Sequence, residues 1–269
     1  MMKAAKIGLV FPTNLELQPF LELMPELKQT SKHPWETYSG QLNGCMVSAI
    51  VSYIGPANVA AATERILVEK QEVLLHGGSA GAMNKELMPG DIVVGDSYTI
   101  LCSRPILEAR KTLLLSNKNI RYSKNGEGVH VEKLDGAADL ISLAMEKSAE
   151  LATKFPEWKS GGWPDETPRR APIAVAGRLG SQDGWTKDLD EIEFIVKEFG
   201  VDSEDMESAY VAQIAAKHDV PLLTVRSISN NEHLGTLAKD QIFPAVKEAA
   251  SRAAYVLWSV LSSIAKLEH

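Results

Sequence analysis

Cysteine is scarce in this sequence, in which Cys45 and Cys102 are the only two among 269 residues. Two thiols provide neither a disulfide framework nor the repeated spacing of a zinc site, and we expect both to be buried. The six histidines are scattered along the chain. The sequence therefore predicts no structural metal.

The sequence also lacks an excess of basic residues. Lysine and arginine number 28 against 35 aspartates and glutamates, which gives a net charge of -7. An acidic chain without a basic block has no electrostatic attraction for nucleic acid or for an anionic membrane. Pro12, Asn14, Glu16 and Gln18 interrupt the first apolar stretch, which is not the pattern of a signal peptide or a membrane span. We expect a cytoplasmic protein without nucleic-acid or membrane partners.

The overall composition is that of an ordinary folded domain. Hydrophobic residues make up 45% of the chain and charged residues 23%, and a chain of this length can bury a large core. Short buried runs alternate with helical patterns, so we expect an α/β fold in one domain spanning residues 1–266. Residues 267–269 resemble the remnant of an expression tag.

Apolar runs and turn residues predict the main elements. We expect strands at residues 6–10, 38–42, 46–52, 73–77, 173–176 and 222–225, and helices from Leu15 and at about 58–70, 137–155 and 242–267. The pair Asn43-Gly44 is a hairpin turn signal. Residues of about 103–170 have the least regular pattern and are expected to form an irregular insertion. Its loop at 158–168 is rich in Gly, Pro and Trp, and we weigh a functional lid or subunit contact equally with a decorative insertion.

Residues 201–231 carry the densest set of polar groups. An acidic cluster that ends at Glu207 precedes an apolar helical run, which places Glu207 at the N-terminus of a helix. Arg226, Ser229 and Asn230 follow the buried strand expected at 222–225. In open α/β sheets ligands bind outside the carboxyl ends of strands, so these groups are expected to meet in one crevice.

Two motifs in that stretch, Met206-Glu207-Ser208 and Arg226-Ser227-Ile228-Ser229-Asn230, resemble the signature of the nucleoside phosphorylase and nucleosidase superfamily. A glycine-rich segment at 77–81, followed by residues 87–94, matches the same family in order and spacing. The resemblance implies a central mixed twisted sheet flanked by helices. Within the family the chain looks most like the hydrolases of 5'-methylthioadenosine and S-adenosylhomocysteine.

The resemblance also implies roles for individual carboxylates. Glu16, in the first turn of a helix after the first strand, matches the family's water-activating group, although spacing alone favours a carboxylate that only interacts with the helix end. Glu207 is expected to accept hydrogen bonds from the 2'- and 3'-hydroxyls of ribose and to favour the cation that develops on the sugar. Arg226 is expected to orient a carboxylate through its planar fork.

The remaining candidates are expected to line the substrate. Trp185 would stack on the purine and Ile54 would contact the 5' substituent, whereas an isolated Trp in a loop is more often a packing residue. A glycine-rich segment without context is most simply a tight turn. The substrate-binding set implied by the family is Ile54, Ser79, Gly81, Trp185, Met206, Arg226 and Ser229, with Asn230 and Asp183 near the base.

The nucleophile distinguishes a hydrolase from a phosphorylase. Phosphorylases of this family hold phosphate with arginines, and the matching places here, 12–15 and 76–77, contain none. Arg65 or Arg104 is the alternative source of such an arginine, recruited in space. We therefore expect water as the nucleophile, a purine nucleoside as the small-molecule partner and no cofactor.

Asn230 departs from the methylthioadenosine hydrolases, which have an aspartic acid there that protonates N7. An amide cannot donate that proton, and Asp183 is the nearest substitute acid. Asn at this position resembles 6-oxopurine phosphorylases and futalosine hydrolases, and a nucleoside-binding or storage protein without turnover is a further alternative. Family members are homo-oligomers, so we expect a dimer or trimer.

Overall fold

The computed structural model describes residues 6–101, 119–123, 126–165 and 167–265. Its strands are β1 Lys6–Phe11, β2 Lys28–Ser31, β3 Glu36–Leu42, β4 Cys45–Val51, β5 Val73–Ala82, β6 Ile92–Ile100, β7 Asn119–Tyr122, β8 Gly128–Val131, β9 Leu134–Asp135, β10 Ala174–Ser181, β11 Ser203–Asp205 and β12 Leu222–Asn231. Its α-helices are α1 Asn14–Leu23, α2 Pro56–Leu67, α3 Ala138–Ser148, α4 Leu151–Lys154, α5 Leu189–Phe199, α6 Ser208–Lys217 and α7 Lys239–Ala265.

The central sheet has ten of these strands in the order β11-β10-β6-β12-β5-β1-β4-β3-β2, with β9 paired to β6. Strand β12 runs parallel to β5 and antiparallel to β6, which confirms the predicted mixed sheet. Strand β11 also pairs with β5. The five strands β5, β12, β6, β10 and β11 therefore form a closed ring at one end of the sheet.

Helices cover both faces of the sheet, as predicted. On one face α1, α3 and α7 bury apolar side chains such as Phe20, Leu140 and Leu257 in one continuous cluster. On the other face α2 and α6 bury Ile66 and Val211 in a second cluster. Where helices cover a strand on both faces, the side chains on both of its faces are apolar. The apolar runs in the sequence are therefore continuous and do not alternate with polar residues.

Two strands are longer than predicted. Strand β5 continues through the glycine-rich segment at 77–81, and β12 continues through the expected exit as far as Asn231. The two strands pair over this length, with Gly77 opposite Val225 and Ser79 opposite Ser227, and the register shifts at Ser229 before Asn230 pairs with Gly81. The tight-turn interpretation of this segment is wrong, because paired neighbours keep its backbone extended.

Other predicted elements are confirmed with shifted ends. The hairpin at Asn43 joins β3 to β4, and α2 begins earlier than predicted because Pro56 occupies its first turn after Gly55. The helical segment at 137–155 is divided into α3 and α4. Cys45 is buried as expected, whereas Cys102 and residues 267–269 lie outside the described residues.

The tryptophan-rich loop is a packed segment. Trp158 and Trp163 are buried against Leu237 and the first half of α7. The indole N–H of Trp158 donates to the Gly161 carbonyl at 2.9 Å, and Arg252 lies 5.0 Å from the Trp158 ring. The loop therefore packs against the segment that enters α7, and a further role as a lid or subunit contact stays a prediction.

Candidate active site

A cavity of about 400 Å³ opens at the carboxyl ends of β1, β5 and β12, where the sequence predicted the crevice. It is lined by Pro12, Thr13, Leu15, Glu16, Ile54, Ser79, Ala80, Gly81, Ala82, Met83, Gly184, Trp185, Thr186, Glu204, Asp205, Met206, Glu207, Ser229, Asn230, Glu232, Leu237, Ile242, Phe243 and Val246. This volume suits a small organic ligand.

Glu16 lies in the first turn of α1, and its carboxylate faces the cavity. The Thr13 hydroxyl donates to Oε2 at 2.8 Å. The backbone N–H and the hydroxyl of Ser79 both donate to Oε1, at 2.8 and 3.0 Å. Only 5% of the Glu16 surface is exposed. Three donors on two sides fix this carboxylate in one orientation.

Glu207 precedes α6 and enters the same cavity from the other side. Its Oε1 accepts the backbone N–H of Gly55 at 3.0 Å, and its Oε2 accepts Arg226 Nη2 at 3.3 Å. Burial raises the pKa of Glu207 to about 7, although the positive charge of Arg226 acts in the opposite direction. The group therefore titrates near neutral pH.

Arg226 is the centre of a buried cluster behind Glu207. Its Nε lies 2.8 Å from Asp205 Oδ2 and donates to the Ser208 hydroxyl at 3.0 Å. Its Nη2 lies 2.6 Å from His76 Nε2. Arg226 is fully buried and does not line the cavity. It positions carboxylates, as the sequence suggested, and the substrate-binding role that we expected for it does not fit this location.

His76 lies at one of the two places where the family resemblance implied an arginine in phosphorylases. Burial lowers its pKa to about 3, and the neighbouring charge of Arg226 adds to this effect. The ring is therefore neutral, with Nδ1 donating to the Val10 carbonyl at 2.9 Å and Nε2 accepting from Arg226. His76 thus offers no positive charge for an anion.

Asp205 connects this buried cluster to the start of α6 through hydrogen bonds. Its Oδ1 accepts the backbone N–H groups of Glu207 and Ser208 at 3.0 and 2.9 Å. Burial alone would raise the pKa of Asp205, but Arg226 and a hydrogen bond from Ser181 hold that pKa below its ordinary value. The ionised aspartate fixes the helix N-terminus from which Glu207 projects.

A second polar group lies at the end of β12. The Ser229 hydroxyl is 2.8 Å from Asn230 Oδ1, and Asn230 Nδ2 donates to Glu232 Oε1 at 3.2 Å. The Thr236 hydroxyl donates to the other oxygen of Glu232 at 2.6 Å. Ser229, Asn230 and Glu232 all line the cavity.

A third polar group surrounds Glu204 on β11. Its Oε2 accepts the backbone N–H of Thr186 at 2.9 Å, and its Oε1 accepts the Thr186 hydroxyl at 2.7 Å and the amide of Gln182. Burial raises the pKa of Glu204, and these hydrogen bonds oppose the shift. Trp185, next to Thr186, lines the cavity with its ring 4.3 Å from Lys187 Nζ.

The structure brings most of the predicted residues together. Those that line the cavity are Glu16, Ile54, Ser79, Gly81, Trp185, Met206, Glu207, Ser229 and Asn230. Asp183 does not join them, because its side chain is exposed while Gly184 and Trp185 turn inward. Its position does not fit the acid that we expected it to be.

Several cavity residues were not singled out in the sequence, above all Glu204 and Glu232. Glu204 belongs to the acidic cluster that ends at Glu207, but its spacing does not distinguish it from the neighbouring acids. The apolar residues Leu237 and Phe243 also gave no sequence signal of a site.

No arginine is among the described residues that line the cavity. Arg65 pairs with Glu69 at 2.6 Å on the exposed side of α2, and Arg104 lies outside the described residues. Within the described part of the chain no group of three or more His, Cys, Asp or Glu side chains is arranged to hold a metal ion. No helix in that part is long and apolar enough to cross a membrane.

Comparison with known proteins gives concordant results. The sequence profile of the Phosphorylase superfamily matches residues 6–262. A 5'-methylthioadenosine/S-adenosylhomocysteine nucleosidase of Glaesserella parasuis is 27% identical over 250 residues, covering 91% of this chain and 95% of the relative.

Solved structures of similar fold include two kinds of enzyme. The Neisseria meningitidis 5'-methylthioadenosine/S-adenosylhomocysteine nucleosidase in complex with methylthio-immucillin-A has a TM-score of 0.71 at 22% identity, covering 96% of this chain and 99% of the other. The futalosine hydrolase of Helicobacter pylori has a TM-score of 0.72 at 22% identity, covering 96% and 97%.

Proposed function

The chain belongs to the phosphorylase superfamily, and from that premise we propose that it is a purine nucleosidase, a hydrolase that cleaves the N-glycosidic bond of a purine nucleoside. The observation that carries the proposal is a pair of buried carboxylates that face one cavity, Glu16 in α1 and Glu207 directly before α6. The names of the relatives support hydrolysis of this bond.

Glu207 binds and polarises the ribose of the substrate. Cleavage of a glycosidic bond passes through an oxocarbenium-like cation. The carboxylate of Glu207 accepts hydrogen bonds from the ribose 2'- and 3'-hydroxyls, and its negative charge stabilises that cation. Gly55 and Arg226 hold the two oxygens from outside the cavity, so the charge is oriented before substrate binds. Met206 and Ser79 complete the sugar side of the site.

Glu16 activates the water molecule that acts as the nucleophile. Thr13 and Ser79 fix its carboxylate at the cavity wall, where it orients a water molecule and takes its proton as C1' is attacked. The two carboxylates have different tasks because their environments differ: Glu16 accepts three neutral donors, whereas Glu207 is paired with Arg226.

The 5' substituent lies among apolar side chains. Ile54, Leu237, Ile242 and Phe243 line the cavity, and Ile54 and Phe243 are 56% and 73% exposed at its mouth. Burial of an apolar 5' group, such as a methylthio group, among these side chains removes apolar surface from water and so favours binding. On this basis 5'-methylthioadenosine and S-adenosylhomocysteine, the substrates named for the relatives, are the first to test.

The titration of Glu207 predicts the pH dependence of the reaction. A protonated Glu207 is neutral and no longer favours the sugar cation, so kcat/KM is expected to fall by about tenfold per pH unit below the pKa. That pKa is about 7. Initial rates at subsaturating substrate across the pH range measure it, and a profile that stays flat below about 7 contradicts the assignment.

Phosphate is expected to have no part in the reaction, because no arginine lines the described cavity and His76 is neutral. The test is incubation with 5'-methylthioadenosine, S-adenosylhomocysteine, adenosine, inosine and futalosine, with and without phosphate, followed by chromatography. We expect free base and free sugar at the same rate in both. Sugar 1-phosphate as the main product would make the enzyme a phosphorylase.

A second candidate is a hydrolase of 6-oxopurine nucleosides, which Asn230 favours. Its amide binds either base class but cannot supply a proton to N7, and Asp183 is exposed outside the cavity. A binding protein without turnover remains the weaker alternative, since Glu16 and Glu207 are both held in position. The homo-oligomeric state and the cytoplasmic location stay predictions.

A further inference from the structure

The tryptophan-rich loop at 158–168 contacts side chains that also line one end of the cavity. Leu237 and Ile242 line the cavity, and both also pack in the cluster around the two indole rings of the loop. The loop lies in the irregular insertion, and the proposed hydrolysis uses none of its residues. The side chains of Leu237 and Ile242 therefore connect the loop to the space in which a ligand binds.

The backbone of the loop approaches this layer of side chains closely. At Gly162, which has a φ of +86°, an added Cβ would lie 2.7 Å from Leu237 Cδ2. At Gly161 an added Cβ would lie 2.6 Å from Gln241 Cδ. Glycine at these two positions thus allows a contact between the loop and the start of α7 that any larger residue would disturb.

Hydrogen bonds hold the loop in place behind this contact. Trp163 is only 8% exposed, and its indole N–H donates to the Thr167 carbonyl at 3.0 Å. The backbone N–H groups of Lys159 and Ser160 donate to the Glu248 carboxylate at 2.9 and 2.7 Å. The Trp163 ring is therefore a fixed surface against which the cavity wall packs.

We propose that Trp163 is a positioning residue that fixes Leu237 and Ile242 as the wall at the 5' end of the cavity, so that the protein selects a small apolar 5' substituent over a bulkier one. The inference rests on the proposed function, which places the 5' substituent against these side chains. A wall that packs on a fixed ring does not move back to admit a larger group. Loss of the ring leaves a void behind the wall, into which Leu237 relaxes.

The test measures kcat/KM for 5'-methylthioadenosine and 5'-butylthioadenosine, which differ only in the size of the apolar 5' group. The matching inosine pair replaces them if the native protein cleaves only 6-oxopurine nucleosides. Native protein is expected to prefer the methylthio compound. In Trp163→Ala the ratio of methylthio to butylthio kcat/KM is expected to fall by about fourfold to fifteenfold, which corresponds to the loss of one or two CH₂ contacts with the smaller group.

Val256→Ala is the matched control. Val256 is buried in the middle of α7 but does not line the cavity, so its truncation is expected to lower thermal stability and to leave the ratio unchanged. Trp163→Phe keeps an aromatic ring beside Leu237 and is expected to fold and to lower the ratio by a smaller factor. An unchanged ratio in both Trp163 variants, or an equal change in Val256→Ala, would overturn the inference.

Calorimetric binding of the same two nucleosides separates this inference from the hydrolase proposal. If neither nucleoside is cleaved, but Trp163→Ala weakens binding of the methylthio compound relative to the butylthio compound, only hydrolysis is refuted. If both are cleaved and neither ratio depends on Trp163, hydrolysis is retained and the selection of the 5' group through the loop is refuted.

Discussion

The variant Glu207→Gln is expected to fold normally and to lose a hundredfold to a thousandfold in kcat. The amide keeps the shape of the side chain but carries no charge to favour the sugar cation, and loss of one such contact costs about 2.7 to 4 kcal/mol in the transition state. Arg226 keeps its partners Asp205, His76 and Ser208, so the buried cluster is retained. Steady-state kinetics and thermal unfolding measure the two effects separately.

A matched control is Glu248→Gln. Glu248 also accepts backbone N–H groups, from Lys159 and Ser160, but it lies outside the cavity. Replacing Glu248 by Gln is expected to change the thermal stability of the protein but not to lower kcat by a comparable factor. Near-native kcat in Glu207→Gln would remove this residue from the chemistry and leave it as a partner of Arg226.

The sequence predicted the parts of the site that depend on local motifs. Glu207 follows from a helix start and Asn230 from the end of a buried run, and both reach the cavity. Glu204 was read only as one acid of a cluster before a helix. Its strand β11 exists because residues far away in β5 and β10 pair with it, and such long-range pairing is not visible in local periodicity.

The same reason explains the errors around glycine and aspartate. The segment at 77–81 has the composition of a turn, yet β12 pairs with it along its whole length. Asp183 is one residue from Gly184, which lines the cavity, but the direction of a loop side chain depends on backbone angles that spacing does not encode. Sequence motifs thus located the cavity, whereas tertiary pairing determined which neighbouring side chains enter it.

Glu16→Ala is expected to reduce hydrolysis by a hundredfold to ten-thousandfold, the usual range for a general base, while nucleoside binding stays measurable. The carboxylate that takes the proton from water is lost, whereas Glu207 and Trp185 remain to bind sugar and base. Single-turnover release of base measures the chemical step, and calorimetry with the same nucleoside measures binding.

Ser79→Ala tests the same assignment from the other side of the hydrogen bond. It removes the hydroxyl that lies 3.0 Å from Glu16 Oε1 but keeps the backbone donor at 2.8 Å, so its effect on turnover is expected to be about tenfold or less. Comparing the turnover of the native protein, of Ser79→Ala and of Glu16→Ala then shows how far the orientation of the carboxylate, and not only its presence, controls the rate. If Glu16→Ala hydrolyses nucleosides at the native rate, Glu16 acts only on the N-terminus of α1, and the general base must be sought among the other cavity carboxylates, of which Glu232 is one.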